Sequence, residues 1–337
     1  MNISEGGRFH NPIENNNGSS ADSTVVFGRQ SESYADLYAD LTIGYKISEG
    51  GVLGALSPHL RAIQSLGKTP TVLEVGAGTG QSTGRLVKRL KDFGIDPNNL
   101  NLRTSEHDAG MIEAGKKMAQ DKKEVVVPMV QESAENLRFE KDETFDAVYG
   151  SQVIHWINDI PGALNEAKRV LKPGGIVVHV GSGIIDGLSG QHFTDNPSYQ
   201  RFLQNVEERL EEKNLWDKSR GIFSPKNSQV NPFFHRYSVR DIEKIFMDVG
   251  FEDLTVNQMR VPINQREMLI RMGAGAVSMF IFGGEFARGI SDEVRSDIVN
   301  KAREETLSKN SELFKDLEKN PSGDDGILFV AKKPLRK

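Results

Sequence analysis

Apolar residues recur along this chain with two periods, and the places where one gives way to the other mark its elements. Val72, Leu73 and Val75 form a β-type run that ends in three alternate glycines, Gly76, Gly78 and Gly80. Leu86, Val87 and Leu90 then follow at helical spacing, so the pattern predicts a strand turning sharply into a helix. The alternation continues downstream. Strands are expected over 99–106, 125–130, 145–151 and 175–180, with a helical pattern running from Asp108 to Lys117. Upstream, 34–66 suits one or two helices. Beyond residue 238, Ile242, Ile245, Phe246 and Val249 give 239–249 a helical face closed by Gly250, and 254–261 and 326–331 read as the last strands. Seven strands alternating with helices predict an α/β fold, a doubly wound and mostly parallel sheet. In such sheets ligands bind at the carboxyl ends of the strands, where strand order reverses.

Two segments, 186–235 and 264–325, carry helical patterns that the sheet does not need. They are expected to form a helical cap built from two insertions. The core would then comprise 28–185 and 236–263, with the last strand and a tail in 326–337. Residues 1–27, rich in Asn, Ser and Gly, read as a mobile tail without an apolar block of signal-peptide length.

Composition narrows the chemistry. The 337 residues are 37% hydrophobic and 26% charged, which suits an ordinary globular protein. A net charge of -5 provides no general attraction to nucleic acid or anionic membranes, so neither is expected as a partner. No apolar run reaches membrane-spanning length. The absence of cysteine excludes disulfides, thiolate metal sites and a cysteine nucleophile, and no metal is expected. Cytoplasmic residence is the simplest reading, and the oligomeric state is left open.

The glycine loop carries the chemical signal. Its spacing is GxGxG, not the GxGxxG of dinucleotide sites, and no GxxxxGK[ST] phosphate loop occurs. Glu74 precedes the glycines, and a carboxylate there repels phosphate but suits a cationic ligand. Further along come Glu106-His-Asp108-x-x-Met111, Ser133-Ala-Glu-Asn-Leu-Arg-Phe139, the run 145–156 containing Ile154-His155-Trp156, and Leu171-Lys-Pro-Gly-Gly175. Together these resemble the ordered motifs of the class I S-adenosylmethionine (SAM) dependent methyltransferases. Ile154-His155-Trp156 is similar to an element of the trans-aconitate and malonyl-carrier-protein methyltransferase branch. Three positions depart from the pattern: Asp108 replaces a serine, Ser133 replaces the aspartate that accepts the adenine amino group, and Arg138 replaces a proline.

The resemblance implies SAM as cofactor and a Rossmann-like core. It implies cofactor contacts from Glu74, Gly76, Ala77, Gly78 and Gly80, from Glu106 to the ribose hydroxyls, and from His107 and Met111 around the adenine. Ser133, Ala134, Ser151 and Gln152 complete that set. For the reaction, His155 and His235 are the candidate bases, and Tyr38, Trp156 and Arg236 the candidate substrate contacts. The expected activity is methyl transfer to a small organic substrate, most simply to oxygen with a carboxylate as first choice. Carbon or nitrogen methylation of a specialised metabolite, or modification of a protein or carrier protein, are the alternatives.

Overall fold

The computed structural model describes residues 42–121, 126–154, 157–181, 197–215, 237–261, 291–309 and 324–336. A long helix, α1 (Thr42–Ser65), leads into β1 (Thr71–Val75), the glycine loop and α2 (Gln81–Arg89). Then follow β2 (Asn101–Glu106), α3 (Ala109–Asp121), β3 (Val130–Gln131), β4 (Phe145–Ser151), α4 (Ile160–Val170) and β5 (Leu171–Gly181). The remaining elements are α5 (Pro197–Glu212), α6 (Val239–Val249), β6 (Glu252–Val261), α7 (Asp292–Lys309) and β7 (Asp324–Lys332).

The seven strands form one sheet in the order β3-β2-β1-β4-β5-β7-β6. Pairing is parallel from β3 to β5, and β7 runs antiparallel to both β5 and β6. Strand order therefore reverses between β1 and β4, beside the glycine loop. Period two sorts the core into two layers. Leu73, Val148, Val177 and Phe329 face α4 and α6 through Leu164, Ala167, Ile242 and Phe246. Their neighbours Val72, Ala147, Val178 and Leu328 face α1 and α2 through Leu53, Leu56, Leu60 and Leu86. Helices on both faces explain why the strands read as near-continuous apolar runs.

The element boundaries differ most from expectation at two strands, the third and the fifth, while β2, β6 and β7 begin within two residues of theirs. The third strand, expected over 125–130, is only Val130–Gln131. Pro128 has no N–H for a ladder, and its carbonyl accepts instead from Thr104 Oγ1. The fifth begins four residues early, at Leu171. Leu171 pairs with Phe145 and Ile176 with Ala147, so 172–175 loop out as a bulge. Gly174 there has φ 78° and donates its N–H to the Lys333 carbonyl. Asp146, opposite the bulge, accepts from the Thr71 N–H and from Lys172 Nζ, both at 2.8 Å, tying together the starts of β1 and β5.

Helix α6 has the ends its sequence predicts. Ser238 and Asp241 form a reciprocal capping box, and Gly250 closes the helix at φ 84°. Helices α5 and α7, one from each of the segments 186–235 and 264–325, pack on each other: Phe202, Val206, Leu210, Ile298, Val299 and Ala302 are buried. Asn205 Nδ2 donates to Thr306 Oγ1 at 2.8 Å, and Arg209 pairs with Glu305. The tail 1–27 lies outside the described residues. Among those described, no helix is long and apolar enough to cross a membrane.

Candidate functional site

The glycine loop leaves β1 at the reversal of strand order. Gly76, Gly78 and Gly80 have φ of 67°, 60° and 75°, a region that L side chains avoid. At Gly76 space is limiting as well: a Cβ would stand 2.3 Å from Val153 Cγ2. The loop is tied to its neighbour strand, with the Ala77 N–H donating to the Ser105 carbonyl at 2.9 Å. Gly78 donates to Glu106 Oε2 at 2.8 Å. Helix α3 presses on the same loop, since a Cβ on Gly115 would meet the Thr79 carbonyl oxygen at 2.3 Å.

Glu106 ends β2 and is the charged centre of the site. Its Oε1 accepts from the Asp108 N–H at 3.0 Å and from His107 Nδ1 at 3.1 Å. Burial pushes the carboxyl up, but the bonds from His107, Asp108 and Gly78 outweigh it and hold the group below its ordinary range. Glu106 is therefore ionised at neutral pH. It can accept from ribose hydroxyls without any phosphate being present.

Asp108 starts α3 as its N-cap, accepting from the Gly110 and Met111 N–H groups through Oδ1 at 2.7 and 3.1 Å. This explains the departure from serine, because Ser and Asp serve equally at an N-cap. Its Oδ2 is buried without a partner. Met111 is buried beneath the loop, its Cε 3.4 Å from where a Gly78 Cβ would lie.

Glu74 is turned inside. Its carboxyl accepts from Thr83 Oγ1 of α2 at 2.5 Å, and the buried Tyr149 hydroxyl faces it outside regular hydrogen-bond geometry. Burial raises the carboxyl to about 7, against the opposing effect of the two hydroxyls. On the other side of the sheet, His179 packs over Gly150 and against Phe246. It is a core imidazole, as its place in a strand suggests, but its Nδ1 has no partner.

At the end of β3, Ser133 Oγ accepts from the Glu135 N–H at 3.1 Å, and Ala134 is half-buried beside it. Glu132 accepts from the Phe139 N–H and lies among Arg138, Glu140 and Arg169. At the end of β4, Ser151 is followed by Gln152 at φ 57°, whose N–H donates to the Val180 carbonyl at 2.7 Å. The fold thus brings Glu74, Gly76, Ala77, Gly78, Gly80, Glu106, His107 and Met111 together around one loop. Ser133, Ala134, Ser151 and Gln152 stand at the ends of the flanking strands. Tyr38, His155, Trp156, His235 and Arg236 lie outside the described residues. Thr83 and Gly115, which support the loop, carry no motif, and Val153 lies within the 145–156 run without being singled out there. The N-cap at Asp108 was readable from its place before a helical run.

A buried, ionised carboxylate beside a tight glycine turn, at the switch point of a doubly wound sheet, defines a nucleoside-binding α/β domain. No side-chain cation stands in the loop 76–80 to meet a phosphate, and Glu74 and Glu106 would oppose one. Residues 73–179 match the family model described as a methyltransferase domain. The cofactor this class implies is SAM, and the residues present fit a nucleoside joined to a cationic group.

Among relatives, the chain is 27% identical over 202 residues to the mitochondrial arginine-hydroxylase NDUFAF5 of Danio rerio, covering 59% of this chain and 50% of that protein. It is 31% identical over 154 residues to the ubiquinone/menaquinone biosynthesis C-methyltransferase UbiE of Bartonella tribocorum, covering 44% of this chain and 54% of the other. It is 32% identical over 106 residues to the malonyl-[acyl-carrier protein] O-methyltransferase of Haemophilus ducreyi, covering 32% and 38%. The chain thus spans about half, or less, of the length of these relatives. In fold it is similar to phosphoethanolamine N-methyltransferase 2 of Haemonchus contortus, with a TM-score of 0.50 and 17% identity, over 94% of this chain and 60% of that one.

Proposed function

We propose that this protein is a SAM-dependent methyltransferase acting on a small organic substrate, with oxygen, first a carboxylate, as the methylated atom. The observation that carries the reading is the ionised Glu106 held against the Gly78 N–H at the mouth of the glycine loop. When bound, SAM supplies an activated methyl group that leaves its sulfonium by in-line displacement.

The chain's own part is positional. Glu106 would accept the ribose hydroxyls, and the main chain of Gly76, Ala77, Gly78 and Gly80 would line the amino-acid end of the ligand. Ala134 would offer its N–H to the adenine, with Ser133 a weaker acceptor beside it. Glu74, raised by burial and bonded to Thr83, supports the loop from below, and the ionised Glu106 favours a ligand without phosphate. Ser151 and Gln152, at the end of β4, would border the space where the acceptor atom must lie. A carboxylate acceptor is already ionised and needs no base, whereas an alcohol or carbon acid would call on His155 or His235. Tyr38, Trp156 and Arg236 are the proposed substrate contacts, Arg236 as a two-pronged donor to an acid group. The likeness to the H. ducreyi O-methyltransferase favours oxygen, and that to UbiE favours carbon as the second reading.

Transfer of isotopically labelled methyl from SAM into a fractionated metabolite extract tests this. Label released as methanol by mild alkali supports carboxyl methylation. Alkali-stable label moves the assignment to ether, carbon or nitrogen. Binding of SAM without transfer to any fraction would sink the methyltransferase reading and turn attention to oxygen insertion, the reaction that the name of the D. rerio relative describes.

A further inference from the structure

The carboxylate proposed to receive the ribose is already partly taken. An ionised carboxylate offers about four lone-pair directions. Glu106 spends three of them, on the Gly78 N–H, the Asp108 N–H and His107 Nδ1. Because such a carboxylate only accepts, Nδ1 carries the hydrogen of the His107 bond. One direction remains, and a vicinal diol needs two. The Gly78 and Asp108 bonds are main-chain bonds built into the loop and the start of α3. The His107 bond is not, for its side chain is 45% exposed. The His107 carbonyl meanwhile accepts from Gln131 Nε2 at 3.3 Å, which holds the main chain while the ring moves.

We propose that His107 is a displaceable gate on the nucleoside site: a ribose diol docking on Glu106 takes the lone pair held by the imidazole, and the ring leaves the carboxylate as the ligand arrives. This rests on the SAM-site reading above. A ring released from Glu106 can then cover the adenine face, the place the resemblance gives it.

The gate couples binding to protons. The charged groups facing the ring are Glu106 at the end of β2, Asp108 at the start of α3 and Glu135 in the loop after β3. The bond to Glu106 is the foremost of these influences, and it raises the proton affinity of the ring against the effect of burial. Losing that bond lowers the proton affinity. Ligand entry therefore expels a proton wherever the free protein holds the imidazolium. Affinity for the nucleoside should rise with pH through the neutral range and level off once the ring is neutral. One proton limits the slope to tenfold per pH unit.

The test uses the full chain and two ligands, 5′-methylthioadenosine, which is neutral, and S-adenosylhomocysteine. Titration calorimetry between about pH 6 and 8.5, in buffers of different ionisation heat, reads both Kd and protons released. The gate predicts a Kd for both ligands that falls roughly 3- to 10-fold across that range, with net proton release. His107→Leu should bind more tightly than the wild type at the acid end and lose the slope. His107→Gln, which keeps a neutral donor for Glu106, should lose the slope without that gain. An equal slope in His107→Leu, or tight but pH-independent binding by the wild type, overturns the gate alone. If neither ligand binds the folded wild type at any pH, the SAM-site reading falls and the gate with it.

Discussion

Glu106 makes three hydrogen bonds at the centre of the site, and two of them come from main-chain groups of Gly78 and Asp108 that are fixed in the fold. Each charge-assisted hydrogen bond is worth about 1.5–3 kcal/mol, so losing one bond to a ribose hydroxyl weakens binding roughly tenfold or more. Glu106→Ala should therefore raise the Kd for S-adenosylhomocysteine by about 100-fold. It also strips the Gly78 and Asp108 N–H groups of their acceptor, so a urea denaturation curve must accompany the titration. Retained affinity in a normally folded variant would remove Glu106 from the site. Much of this cluster was legible from residue spacing, since the three glycines and an acid at the end of the next strand require no tertiary knowledge. What spacing could not convey was direction. Glu74 and Glu106 look alike along the chain, yet one bonds to a buried threonine hydroxyl and the other to the loop that faces the ligand. Nor could it show that Ser133 bonds to its own main chain.

Elements reach the site through close packing. Helix α3 lies so near the loop that Gly115 has backbone, not side chain, 2.3 Å from any added Cβ. Thr79 cannot swing aside, so Gly115→Ala must push α3 off the loop. The variant should lose about 1–3 kcal/mol of stability, and its affinity for S-adenosylhomocysteine should fall, because Asp108 and Glu106 move with the start of the helix. Unchanged affinity would show that the loop tolerates a displaced α3. Nothing in the sequence marks Gly115, which sits in a good helical pattern; the constraint comes from a segment 36 positions away. Strand boundaries show the same limit. Val125 to Val130 reads as a strand by composition, yet Pro128 breaks the ladder and only two residues pair. Helix α6 shows the converse, its ends set by Ser238, Asp241 and Gly250 within its own segment.

The pair α5 and α7 joins segments about 100 residues apart, through a polar contact inside an apolar interface. Thr306 Oγ1 accepts from Asn205 and donates to the Ala302 carbonyl at 2.7 Å. Thr306→Val keeps the shape but leaves the buried Asn205 amide without its acceptor, a cost of about 1–3 kcal/mol. Amide exchange should quicken in both helices together. Faster exchange in α7 alone would mean that the two helices do not hold each other. Helical periodicity predicted both segments as helices, but not their pairing, which depends on which faces meet.

Over the whole molecule, two buried titrating groups set opposing dependences on pH. Glu74 holds its proton to about 7 in the native chain, against an ordinary value of 4.5. Between those values the native state binds more protons than the unfolded one, so its contribution to stability falls as pH rises from 4.5 to about 7. His179, buried on the opposite face, is pushed down to about 4 from 6.5. There the unfolded state binds more protons, so its contribution rises as pH climbs from about 4 to 6.5. Each displacement corresponds to roughly 3 kcal/mol, an order-of-magnitude figure. The windows overlap and the signs oppose, so the two nearly cancel in the wild type. Single substitutions should unmask them. Glu74→Gln keeps an acceptor for Thr83 and leaves His179 alone, so stability should climb by roughly 3 kcal/mol from pH 4.5 to about 7, relative to the wild-type profile. His179→Leu should do the reverse, with stability dropping as pH rises from about 4 to 6.5, again relative to wild type. Urea midpoints across pH 4 to 8 measure both. Profiles parallel to wild type would mean that these groups titrate alike in the folded and unfolded chain. Opposite slopes would mean that the support beneath the glycine loop and the apolar layer behind β5 are balanced in the whole fold, so that neither can be altered without making stability depend on pH.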